Sequence, residues 1–342
     1  MNTSDPQPTS SERPRGRDPL WRRAASRLAL LWLLLPSACF DSEETAPDDR
    51  STVASTIGVV TVVRAESHAP GMAPQLQLSA AFARYRGFAA ADIVDFASLE
   101  DVPDWQLLEL PVGHCQVVQS SENPLATFTG SSLVSANGGI ENFVDFLEAG
   151  ELRALGSQDV RQARFERRAL PELWTTVSGV TYEAILPLSA AERPISIDGW
   201  GSQHAGSFRL EASVPPTPTL TEVGGQPVTA AYATIDWDEE LEVRWETPTL
   251  PGPALGGATT PTRLTVSLEA LEFDRVVAFR CACPDVGSAG LPRAGIAAFA
   301  PFARAEATVR LVIRRTAQVP FSAASIHEAM AFFVARSSVL VK

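Results

Sequence analysis

The side chains that could carry chemistry here are few and scattered. Cysteines stand at Cys39, Cys115, Cys281 and Cys283, histidines at His68, His114, His204 and His327. Cys281 and Cys283 fall two apart in a stretch that reads as a strand, so both share one face with Cα atoms about 6.6 Å apart. Their side chains point the same way, and the roughly 3.8 Å between Cβ atoms that a disulfide needs is out of reach without distortion. The favoured reading of Cys115, Cys281 and Cys283 is three small buried side chains, the last two sharing a face with Val277 and Phe279; a single bridge among the three is the alternative. Thiolate metal sites need about four converging ligands. With no second paired-Cys motif, no metal ligand and no cofactor is assigned.

The remaining candidates yield to plainer explanations. His327-Glu328 lacks the second His of a zincin helix. Asp198-Gly199-Trp200-Gly201-Ser202-Gln203-His204 holds the three residue types of a hydrolase triad, but a triad is assembled from separate elements, and no Gly-x-Ser-x-Gly elbow exists. A Gly-rich loop between strands explains it better. Asp236-Trp237-Asp238-Glu239-Glu240 offers hard oxygen ligands without the spacing of a calcium loop and reads as a solvated turn. Arg161, Arg164, Arg167 and Arg168, interleaved with Phe165 and acids, read as a solvated face, and Asn137-Gly138-Gly139 as a turn. No catalytic residue is therefore assigned, and the ligand-binding residues are left open.

Charge narrows the partners. The formal net charge is −12, with Arg as every basic residue except Lys342. Residues 1–38 carry six Arg and three acids, which leaves 22 basic against 37 acidic residues, a net of about −15. Such a surface repels nucleic acid and anionic headgroups, so no nucleic-acid partner is expected.

The first 27 residues are polar and Arg-rich, and an apolar run, Leu28 to Leu35, follows. This is the order of a secretory signal. Eight residues are too few to span a membrane, which takes about 20. Leu35-Pro36-Ser37-Ala38-Cys39 resembles the lipobox of bacterial lipoproteins, departing from it in placing Leu four rather than three residues before the Cys. The resemblance implies cleavage after Ala38, lipid on Cys39, and an outer-membrane or envelope location with the bilayer as partner. Ordinary secretion is the alternative. Residues 39–54 then read as a disordered acidic tether.

Past residue 54, alternation of period two prevails. Leu241, Val243 and Trp245 alternate with charged residues; Leu264, Val266 and Leu268 alternate with Thr265, Ser267 and Glu269; Val309, Leu311 and Ile313 oppose Thr308, Arg310 and Arg314; Phe208, Leu210 and Ala212 oppose Arg209 and Glu211. Each pattern predicts a half-buried strand with one wet face. Further strands are expected at 57–63, 76–84, 115–119, 180–186, 195–198, 275–283 and 330–341. Helical spacing of Ile140, Phe143, Val144 and Leu147 predicts a helix over 137–150, and a short one is expected around 89–99.

Pro215-Pro216-Thr217-Pro218 marks a joint. The expected fold is all-β: two tandem β-sandwich domains, 55–214 and 219–342. Leu241-Glu242-Val243-Arg244-Trp245-Glu246-Thr247-Pro248 resembles the second strand of fibronectin type III and immunoglobulin-like domains, which implies an inward Trp245 between two sheets. A lipid-anchored binding or structural module, with an envelope protein or glycan as partner, is the functional expectation. The rivals are a secreted hydrolase and a carbohydrate-binding protein, each with its site between the domains. A sugar-binding module would display exposed aromatics, and Trp174, Trp200 and Trp237 are the ones in question.

Overall fold

Apolar side chains at every second position can all be buried only if each strand lies flat on a core, and the chain does this repeatedly. The computed structural model describes residues 54–65, 75–90, 93–94, 110–119, 142–156, 162–170, 177–187, 194–228, 232–247, 262–272, 275–304 and 308–342. They belong to one unit, Asp49–Lys342. The strands are β1 (Ser55–Ala65), β2 (Gln75–Arg86), β3 (Cys115–Gln119), β4 (Phe143–Phe146), β5 (Leu152–Leu155), β6 (Gln162–Arg164), β7 (Glu166–Ala169), β8 (Val177–Pro187), β9 (Ile195–Gly199), β10 (Phe208–Ala212), β11 (Leu220–Val223), β12 (Gln226–Pro227), β13 (Tyr232–Ala233), β14 (Leu241–Trp245), β15 (Thr262–Glu272), β16 (Arg275–Cys283), β17 (Ser288–Leu291), β18 (Thr308–Pro320) and β19 (Glu328–Val341); helix α1 spans Arg293–Arg304. Every strand expected from alternation is present. No helix among the described residues is long and apolar enough to cross a membrane.

One 11-stranded sheet runs β3-β16-β15-β18-β19-β1-β2-β4-β8-β7, with β13 also on β19. Two four-stranded sheets, β10-β9-β5-β6 and β12-β11-β14-β17, cover it. The first traps Val60, Val62, Leu78, Phe82, Tyr182 and Phe333 against Leu152, Ile197, Phe208 and Leu210. The second, with Ile296 and Phe299 of α1, traps Val266, Leu268, Leu311 and Ile313 against Leu220, Val243 and Trp245. Each fully buried large side chain contributes roughly 1.5–3 kcal/mol.

The expected partition at 215–218 does not divide this sheet. β1, near one end of the described chain, pairs in parallel with β19 at the other, Ile57 opposite Glu328 through Arg64 opposite Ala335. The layering of sheet on sheet is present in both halves, but the halves share one sheet. Trp245 does point inward, 4% exposed, within the second core.

Two local expectations change. Residues 143–146 of the expected helix 137–150 form β4, paired with β2 and in parallel with β8; residues 137–141 lie outside the described set. Val144 and Phe146 are buried while Phe143 and Asp145 are half-buried, so the aromatic and β-branched side chains follow the pleat rather than the helical repeat. Gly150, at φ +78°, then brings the backbone against the Gly201 carbonyl, where a Cβ would collide. Within 89–99, residues 90, 93 and 94 are helical, and Ile93 and Val94 bury against β1 and β2 on the other face of the long sheet.

The second correction concerns wet faces. Thr265, Ser267, Glu269 and Arg314 are expected outside, and all four are buried. Glu269, 1% exposed, is held by Arg314 (2.6 Å), Arg310 (3.0 Å) and Arg280 (4.0 Å). Burial alone would raise its pKa, but the Arg314, Arg280 and Arg310 guanidiniums outweigh that and hold it at about 2.

Candidate functional site

The first question is whether the residues that could do chemistry converge, and their hydrogen bonds answer it. Ser202 Oγ donates to the Glu148 carbonyl and accepts from the His204 and Ala205 backbone N–H groups, at 3.0 and 3.3 Å. Asp198 accepts from Ser196 Oγ at 3.3 Å, and the His204 ring meets the Gln203 amide at 2.8 Å. Ser202 thus holds its loop in shape, Asp198 bonds within β9, and the three side chains do not line up with one another. His327 Nδ1 lies 2.9 Å from Thr56 Oγ1. His114 sits exposed in the turn before β3, its carbonyl accepting from Ala282 N–H; His68 lies outside the described residues. Asp236 Oδ1 accepts the Asp238 N–H at 2.9 Å, a turn as expected. Among the described residues, no three His, Cys, Asp or Glu side chains are placed to hold a metal ion.

The basic cluster is paired: Arg164 with Glu151 (3.7 Å), Arg167 with Glu148 (2.6 Å) and Arg168 with Glu183 (2.8 Å). Arg161 lies outside the described residues, as do Asn137-Gly138-Gly139 and Cys39.

Cys115 and Cys281 form a disulfide, and Cys283 is a buried free thiol. This overturns the reading of three isolated thiols. That reading placed Cys115 in a separate domain, whereas β3 runs along β16 with Cys115 directly opposite Cys281. Burial pushes the Cys283 thiol up to about 11, so little thiolate is present to exchange with its neighbour.

A second network is equally structural. Arg315, 1% exposed, donates from Nε to Asp285 Oδ2 (2.7 Å), from Nη2 to Asp285 Oδ1 (3.1 Å) and the Glu246 carbonyl (2.9 Å), and from Nη1 to the Pro216 carbonyl (3.1 Å). Trp245 Nε1 donates to the same Asp285 at 2.9 Å. Arg315 lies on β18 between Ile313 of one core and Ala317 of the other, so it fastens the Pro-rich joint where the two covering sheets meet. Sequence reasoning passed over it, although the alternation Val309, Leu311, Ile313 puts residue 315 on the buried face.

Two concavities stand out among the described residues. One, of about 670 Å³, lies beside β8 and is lined in part by Thr61, Gln77, Ser79, Arg168 and Glu183; the Thr61 hydroxyl there is buried without a hydrogen-bond partner. The other, about 570 Å³, is shallow and lies at the ends of β9 and β10, lined by Asp198, Gly199, Trp200, Ser207, Phe208 and Arg209. Trp200 is 63% exposed, with the Arg153 guanidinium 4.7 Å from its ring centroid. Trp237 packs against the second core, and Trp174 lies outside the described residues.

No protein-family model matches this chain, and no curated protein does. The chemistry of the site therefore rests on its geometry.

Proposed function

We propose that the chain is exported and held at a bacterial envelope membrane by lipid on Cys39, where it acts as a binding or structural module. The observation that supports export is the Cys115–Cys281 disulfide. Such bonds persist in oxidising compartments and are rare in the cytosol, and the leader sequence sends the chain to an oxidising compartment. Its internal ion pairs favour a scaffold over an enzyme, since the buried Glu269, the half-buried Asp285 and their arginines are engaged in holding strands and joint together. The hydrolase alternative loses its best candidates, because Ser202 is occupied by backbone groups of its own loop while Asp198 bonds Ser196 and the His204 ring bonds Gln203.

The test is the intact mass and detergent partitioning of the native protein beside a Cys39→Ala variant. Wild type is expected to begin at an acylated Cys39 and enter the detergent phase, and the variant to remain in water. A wild type that begins elsewhere and is water-soluble defeats the reading.

A further inference from the structure

The outer face of the sheet β10-β9-β5-β6 carries an arrangement that none of the packing described above uses. Its inward residues, among them Leu152, Ile197, Phe208 and Leu210, build the first core. Its outward residues form a polar row set by register, Arg164 beside Arg153, Arg153 beside Asp198, and Asp198 beside Arg209. Trp200 rises just past the end of β9 at the head of this row. At 63% exposure the indole gains little from burial within the fold, so its position calls for another explanation.

The Trp200 backbone is tied down and one face of its ring is covered. The Trp200 backbone N–H donates to the Glu151 carbonyl at 3.1 Å, and Glu151 fixes Arg153 through a 2.6 Å bond to its Nε. Arg153 in turn stacks on the indole, an attraction worth roughly 0.5–1 kcal/mol at an exposed site. Because β9 lies between β5 and β10, Arg153 approaches from the β5 side, while the shallow 570 Å³ concavity is lined by residues of β9 and β10 and of the turn before β10. In that cleft Asp198 and Arg209 stand 3.8 Å apart, with the Arg209 side chain 68% exposed. At that separation their hydrogen-bonding capacity is not consumed by each other.

A preformed flat apolar ring flanked by a carboxylate acceptor and a planar guanidinium donor suits one ligand chemistry well. We propose that the Trp200 cleft binds saccharides, specifically gluco-configured pyranose units of a glycan. Such a unit carries equatorial hydroxyls and a flat face of axial C–H bonds. The C–H face lies on the electron-rich indole face, and adjacent hydroxyls donate to Asp198 and accept from Arg209. The bare Arg and Asp of the rest of the row would favour no such apolar face without Trp200. This inference deepens the binding-module reading by naming its ligand class, and it relocates the site from a gap between domains to the solvent side of one sheet.

The experiment is calorimetric titration of the full mature protein in detergent with cellohexaose, laminarihexaose and maltohexaose. At least one is expected to bind, with Trp200→Ala weakening it by at least about tenfold, roughly 1.4 kcal/mol, and Trp200→Phe by much less. Arg209→Ala is expected to weaken binding without altering thermal stability, which separates ligand contact from folding. Absence of binding to all three glycans, or equal binding by Trp200→Ala, overturns the inference. Neither result touches the partitioning of wild type against Cys39→Ala, so the anchored-module reading stands or falls separately.

Discussion

The two halves of the long sheet bury their second faces by different chemistry. Along β1, β2 and β4 that face is apolar at one end, with Ile57, Val59, Ala81, Ala83, Val144 and Phe146 packed with Ile93 and Val94, and carries the uncharged Thr61, Ser79 and Gln77 towards the other. Along β15, β16 and β18 it carries Thr265, Ser267, Glu269, Arg280 and Arg314, four of these five fully buried. An apolar face holds at any pH, whereas a buried carboxylate holds only while its charge is matched. The half rich in β15–β18 contacts should therefore respond to pH, to reductant and to single charge deletions, and the other half only to loss of volume.

The largest effect is expected at the joint between them. Arg315→Ala leaves Asp285 without its bidentate partner and frees the carbonyls of Pro216 and Glu246, so a loss of roughly 3–5 kcal/mol is expected by denaturant unfolding. Arg315→Lys should recover only part of it, since an ammonium cannot span that fork of acceptors. A loss below about 1 kcal/mol would show that the Pro-rich segment holds its place without the guanidinium.

Next in size is the disulfide. Cys115 and Cys281 lie 166 residues apart in sequence, and closing so long a loop is worth roughly 2–4 kcal/mol in the usual range. Reductant should lower the melting temperature of wild type but not of a Cys115→Ala, Cys281→Ala double variant. On a Cys39→Ala background, unreduced protein should take up one maleimide per chain when denatured and none when native, because Cys283 is buried and protonated. Three maleimides in the denatured, unreduced protein would exclude the bridge.

How far these features could be read from sequence differs between the halves. Period-two alternation located β14, β15 and β18 because their apolar sets are uninterrupted. The same pattern misassigned Glu269 and Arg314 to solvent, since alternation distinguishes two faces and does not say that the second is also covered. β4 was hidden because Phe143, Val144 and Leu147 satisfy a helical repeat equally well over so short a run. α1 was not anticipated, with Gly295 and Pro301 interrupting its apolar pattern; Gly295 is required there because a Cβ would meet the Phe279 ring. At the candidate site Trp200 was legible as an aromatic to inspect, but its partners Arg153 and Arg209 come from neighbouring strands, and register is not written in a local pattern.

A pH titration sharpens the comparison further. The Glu269 carboxyl has an ordinary pKa near 4.5 and is held at about 2 in the fold. A depressed folded-state value means stability fully present above about 4.5 and lost as pH falls toward 2, by up to about 3 kcal/mol for this group. Glu269→Gln should be less stable at pH 7 and should flatten this acid limb. Phe333→Ala, in the first core, should cost a constant amount across the same range. Parallel limbs in wild type and Glu269→Gln would mean that other carboxylates set the acid response.

The smallest effect tests the comparison from outside both cores. Arg167 and Glu148 form a 2.6 Å ion pair with side chains 52% and 47% exposed, shorter than the Arg315–Asp285 contact yet open to water. Solvent screening and the entropy of fixing two long side chains reduce such a pair to roughly 0–1 kcal/mol. Arg167→Ala is therefore expected to shift the unfolding midpoint barely measurably, and added salt to erase what remains. If it instead matched Arg315→Ala, burial would not be what gives the ions of the β15–β18 half their weight, and the contrast between the halves would need another cause.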